Sequence, residues 1–220
     1  MSFIAVGVLI FLVLGLVLGF IIIQSAFSHR HWRRVIAQGD QPTLLAAVEE
    51  ALETFRGMRA PRGTPPADWR GLQSAALVAA DRDRARVSLI VEPDVRVIGT
   101  ERREVGPAES VARRVAVRMV ERLLYEIPLA RFQAVQVDVY TEYRSPQGQI
   151  ATECLLTTQV SRLMANESDW DELEVAAILA DWRTRERESG QRLDPEEGAL
   201  IAPMPSTNGQ GGLPPEDVSL

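Results

Sequence analysis

Asp138, Glu142 and Glu153 are the carboxylates in this chain whose spacing invites chemistry, because they fall on two neighbouring strand-like stretches. Carboxylates gathered on one sheet face can hold Mg²⁺ and activate water for hydrolysis. Asp138 and Glu142 are four strand residues apart, about 13 Å, too far to share one ion without a third element. The trio therefore reads as a wet sheet face, with a membrane-tethered metal-dependent hydrolase kept as an alternative.

His29 and His31 are the chain's two histidines and are spaced as a ligand pair. Imidazole coordination needs further ligands and a second shell that nothing nearby supplies, so they read as interfacial polar residues. Their scarcity also speaks against Ser-His-Asp or Cys-His catalysis. Cys154 stands alone, so it forms no internal disulfide, in keeping with a reducing cytoplasm, and it reads as core.

All 24 basic residues are arginine. A Walker A loop, a kinase lysine, a pyridoxal phosphate Schiff base and a Ser-x-x-Lys nucleophile each need an amine that arginine cannot replace. Those classes are set aside, and no cofactor is expected. From Glu188 onward six acidic residues stand against Arg192, so most of the net charge of −6 lies in the tail. The preceding part is almost neutral, and nucleic-acid binding is not expected. Arg114, Arg118 and Arg122 recur every four residues and so line one helix side, where they could meet lipid phosphates, an acidic partner or the chain's own acidic tail. Pairing of Glu109 with Arg113 and of Glu126 with Arg122 favours a solvated face.

Several elements must position these groups. A hairpin is predicted from Ala134–Arg144 and Gln149–Ser161 around the turn residues Ser145 to Gly148, with Tyr143 opposite Ile150, Val139 opposite Cys154, and Asp138, Glu142 and Glu153 on the more polar face. A helix from Pro107 to Glu126 buries Val111, Val115, Met119, Leu123 and Ile127. An earlier helix, Pro42 to Phe55, carries the stripe Leu44, Val48, Leu52 and Phe55, with Asp40 as its cap. Residues Gly57 to Ala67 read as a linker. Ala75–Ala80 and Arg86–Glu92 suit a hairpin about Asp81–Arg84, although the alanines also suit a helix after Trp69; Val95–Ile98 is expected to continue that sheet after the break at Pro93. A last helix is expected from Asp169 to Arg187 behind the cap Ser168, followed by a disordered acidic tail. No internal repeat is evident.

Phe3 to Ile23 is an unbroken apolar run that reaches about 31 Å as a helix, enough to span a bilayer. It lacks the basic start, short length and small-residue exit of a cleaved signal. Arg30, Arg33 and Arg34 with Trp32 suit the headgroup layer on the cytoplasmic side, placing the N-terminus outside. Gly15 and Gly19, with Gly7 two turns earlier, offer a small-residue face for helix pairing in the membrane.

The expected organisation is a transmembrane anchor (1–28), a juxtamembrane helix and linker (29–67), a cytoplasmic α+β domain (68–188) with an antiparallel sheet packed on two long helices, and a disordered tail (189–220). The expected role is a scaffold or accessory subunit in the cell (inner) membrane, contacting the lipid bilayer and a membrane protein partner or a second copy of itself. A lipid-sensing regulatory module using the Arg114 stripe is a further alternative.

Overall fold

The structure, a computed structural model, describes residues 41–128, 130–145, 148–170, 174–189 and 191–204. The apolar run, Gly7, Gly15, Gly19, His29, Arg30, His31, Trp32, Arg33, Arg34 and the Asp40 cap lie outside the described residues. Among the described residues, no helix is long and apolar enough to cross a membrane.

Helix α1 (Gln41–Gly57) turns Leu44, Val48, Leu52 and Phe55 inward as the periodicity predicts, and they enter the same core as the later elements. Helix α2 (Pro66–Gln73) starts on a proline, where a missing N–H costs the helix nothing. It lies close against its neighbours at Gly71: a Cβ there would meet Val91 Cγ1 at 2.9 Å and Val115 Cγ2 at 3.1 Å. Strands β1 (Ala76–Ala80) and β2 (Arg84–Val91) form the expected hairpin, so the alanine run is strand rather than helix. Its turn is held by Asp81, whose Oδ1 accepts from the amides of Asp83 and Arg84 at 3.0 and 2.7 Å.

Strands β3 (Asp94–Ile98) and β4 (Glu101–Gly106) pair only with each other, so the predicted continuation of the sheet is a separate hairpin. Helix α3 (Ala108–Glu121) carries the expected apolar stripe and ends in one π-helical turn, Arg122–Glu126, before Pro128. Strands β5 (Ala134–Arg144) and β6 (Ile150–Ser161) complete the centre of a five-stranded sheet of order β1-β2-β5-β6-β7. β2 and β5 are parallel, joined by a crossover through β3, β4 and α3, so the sheet is mixed rather than antiparallel.

The hairpin register differs from the predicted one. Ser145 N donates to Gln149 O and Gly148 N to Ser145 O, both at 2.8 Å, with Gly148 at φ +79°; the loop thus closes one residue later and pairs Arg144 with Ile150. A bulge between Val139 and Tyr140 then skips Leu155, so Tyr140 faces Cys154 and Val139 faces Leu156. The slip at the turn moves Glu153 to the face opposite Asp138, since side chains alternate along a strand.

A short helix α4 (Arg162–Glu167) follows β6, and the predicted helix from Asp169 to Arg187 is instead α5 (Val175–Asp181) and strand β7 (Arg183–Glu186). Ser168 does not cap it; its hydroxyl accepts from Trp182 Nε1 at 3.0 Å. β7 pairs with β6 and so covers an edge that a helix would leave open. Within the tail expected to be disordered, residues 193–204 cross the sheet and are bonded to it, ending with Met204 N on Val78 O at 3.2 Å.

Candidate functional site

The three arginines predicted to form a stripe come to one cleft of about 660 Å³, lined from α2, α3 and α5 and from the loop before α2. Each arginine meets a carboxylate of this chain. Arg114 clamps Asp68 through two bonds of 2.7 Å, tying α3 to α2, and this pairing raises its guanidinium above the ordinary range despite partial burial. Arg118 Nη1 donates to Glu121 at 2.8 Å. Arg122 lies 3.9 Å from Glu126 and is held between two rings, 4.8 Å from the Phe55 centroid and 5.3 Å from that of Trp69. A guanidinium face is weakly hydrated, so this layering suits arginine and not lysine.

Trp69, Leu72, Val115 and Ile178 supply apolar lining, and Arg62, Arg118 and Glu121 supply polar lining. Trp170 closes one end, edge-on to Tyr125 with centroids 5.9 Å apart and 5.8 Å from Trp182. Trp170 Nε1 donates to Ala165 O at 3.0 Å, which fixes the ring's orientation. The Arg122 sandwich was not legible beforehand, since Phe55 lies some 70 residues away in sequence; the signal available was the single stripe of arginines.

The hairpin carboxylates are not brought together. Glu153 shares Arg187 with Glu109, at 2.6 and 2.9 Å, across the helix-covered face. Glu142 is exposed near the hairpin end. Asp138 is fully buried and accepts from Arg86 Nε at 2.7 Å, Gln136 Nε2 at 2.8 Å and Thr157 Oγ1 at 2.6 Å. Among the described residues no group of three or more His, Cys, Asp or Glu side chains is placed to hold a metal ion. The geometric premise of a carboxylate-metal hydrolase is absent from the hairpin.

Arg86 is the centre of this second cluster and was not singled out by sequence. It is 1% exposed, and its Nη1 and Nη2 also reach both Glu196 oxygens at 2.9 and 2.6 Å. Burial alone would lower the guanidinium's pKa; bonds to Glu196 and Asp138 outweigh it and hold it above the ordinary range. The same surroundings also raise two neighbours. Burial and then the charge of Asp138 push the Cys154 thiol up to about 12, and the Tyr140 phenol likewise to about 12. A thiol held protonated is a poor nucleophile; Cys154 is buried as expected, but it lies on the face of Tyr140 and Asp138 rather than beside Val139.

No protein family model, curated protein or solved structure matches the chain.

Proposed function

We propose that the chain is a single-pass, membrane-anchored scaffold or accessory subunit whose cytoplasmic domain docks a membrane protein partner in the α2–α3–α5 cleft. The observation that carries this reading is the cleft's composition: tryptophan and arginine over an apolar floor with a polar rim, the pattern in which binding energy concentrates at protein interfaces. Arg114, Arg118 and Arg122 already meet carboxylates of the chain itself, which favours a protein surface over lipid phosphates as the occupant. The anchor is the apolar run from Phe3 to Ile23, with Gly15 and Gly19 as its pairing face.

A photo-reactive residue placed at Arg118, whose side chain is 64% exposed, tests the proposal in native membranes. It should cross-link to a defined membrane protein that the same probe at Glu50, on the exposed side of α1, does not reach. A strictly monomeric full-length protein in mild detergent, with no cross-linked neighbour from position 118, overturns it.

A further inference from the structure

The polar face of the sheet is covered by residues 193–200 through contacts that depend on two carboxylates and a series of backbone groups. Glu196 makes the two-pronged pair with Arg86, and Glu197 Oε2 accepts from Arg185 Nη1 at 2.9 Å. Other bonds use main-chain atoms, among them Pro195 O accepting from Gln136 Nε2 at 3.3 Å, Gly198 O from Gln159 Nε2 at 2.8 Å, Glu197 O from Arg185 Nη2 at 2.6 Å, and Leu200 N donating to Gln136 Oε1 at 2.7 Å. The receiving side chains are also tied to one another within the sheet. Arg86 is fixed by Asp138, and Gln136 and Asp138 are fully buried in the strands.

The covering octapeptide reads Leu193-Asp194-Pro195-Glu196-Glu197-Gly198-Ala199-Leu200. Twenty residues later the chain reads Leu213-Pro214-Pro215-Glu216-Asp217-Val218-Ser219-Leu220. Leucine, proline, glutamate and leucine recur at the same places, the second acid is kept as Asp217, and the small residue as Ser219. This is a short repeat that becomes meaningful only once the contacts of the first copy are known. Both carboxylates that the receiving arginines hold are present in both copies. One chain thus carries one such face and two segments shaped for it.

We propose that the face formed by Arg86, Gln136, Gln159 and Arg185 is a recognition site for an acidic Leu-x-Pro-Glu-acidic-x-small-Leu peptide, and that residues 213–220 are a second ligand exchanging with residues 193–200. The two copies differ where the geometry says it matters. Gly198 sits at φ +68°, and a Cβ there would lie 3.4 Å from Arg183 Nη2. Val218 must adopt that left-handed conformation or distort the register, so the second copy is the weaker ligand. The first copy also acts at a high effective concentration because its tether is short. Residues 193–200 therefore hold the face unless their grip is loosened.

Fluorescence anisotropy with labelled synthetic peptides of residues 193–200 and 213–220 tests this on the full-length chain in mild detergent. Glu196→Ala loosens the resident segment and removes a half-exposed side chain. Both peptides should bind this variant about two- to fivefold more tightly than they bind the wild type. Val218→Gly in the second peptide should strengthen binding about fivefold or more, by removing the left-handed penalty, and Glu216→Gln should weaken it by about two- to fivefold. Arg185→Ala in the protein should weaken both peptides. Tryptophan fluorescence unchanged by Glu196→Ala establishes that the domain is folded. If residues 193–200 bind no better than a reversed-sequence peptide, the face is not a recognition site. If they bind but residues 213–220 do not, or Val218→Gly has no effect, the second-ligand assignment fails.

Discussion

Replacing Arg86 by methionine isolates what the buried ion pair does for the domain. Arg86 is 1% exposed and Asp138 0%, with 2.7 Å between Nε and Oδ2. Methionine keeps most of the stem's apolar volume but leaves Asp138 charged, buried and supported only by the neutral donors of Gln136 and Thr157. Removing one partner of such a pair costs about 3–5 kcal/mol, because the other ion keeps its desolvation cost without its counter-charge. At a urea dependence of about 2 kcal/mol per molar, the unfolding midpoint falls by about 2 M.

The control is Glu196→Gln, which removes the other carboxylate bonded to Arg86. Glu196 is 48% exposed, so water replaces much of the lost interaction and the cost is below about 1 kcal/mol. Tryptophan fluorescence during urea titration of the full-length protein in detergent reads both, since Trp69, Trp170 and Trp182 report on the core and the cleft. A third variant, Arg86→Met with Asp138→Leu, removes both ions and should recover part of the loss. Equal shifts for Arg86→Met and Glu196→Gln, or a double variant no better than the single, would show that burial is not what makes the pair matter.

Three other outcomes follow from the geometry. Because the Cys154 thiol and the Tyr140 phenol are pushed up to about 12, the folded chain keeps protons that the unfolded chain releases above pH 9 to 10; stability is unaffected below that range and falls by about 1.4 kcal/mol per pH unit for each group above it, and pH-dependent urea melts showing a flat alkaline limb would contradict the burial of both. Arg122→Met keeps the stem but removes the charge between Phe55 and Trp69, and should cost about 1–2 kcal/mol in the same melts; a change under about 0.5 kcal/mol would mean that the rings hold only the stem. Gly71→Ala gains about 1 kcal/mol in helix propensity but forces a methyl against Val91 and Val115, costing about 1–3 kcal/mol, so the melting temperature should stay level or drop, and a clear rise would show that those valines step aside.

The elements that sequence made legible are those whose period is unmistakable. The Leu44 to Phe55 and Val111 to Ile127 stripes repeat every three or four residues, and the β1–β2 and β5–β6 hairpins alternate around turn residues. What escaped depends on contacts between distant segments. The parallel pairing of β2 with β5 leaves no local trace, and a bulge at Leu155 shifts register without a glycine or proline to announce it. Arg183, Arg185 and Arg187 look like the basic end of a helix, yet the first two lie on β7, where Thr184 meets Thr158 across the edge at 2.8 Å. At the cleft, the arginine stripe was legible, but its partners Asp68, Phe55 and Trp69 were not, being on other elements.

The two faces of the sheet differ in a way that bears on how the domain works. β5 alternates valine with Gln136, Asp138 and Tyr140, which reads as a strand with one dry face and one wet face. The valine face is closed by α2 and α3 through apolar contact, and nothing in water can replace that cover. The other face is equally hidden at Arg86, Gln136 and Asp138, but its cover is a segment bound through carboxylates and carbonyls. Water and other acidic peptides offer the same groups, so such a cover contributes little net stability while fixing one partner chemistry. An apolar lid at that position would have been stronger and permanent. A polar strap over a buried arginine is suited to exchange, which assigns stable packing to one side of the sheet and recognition to the other.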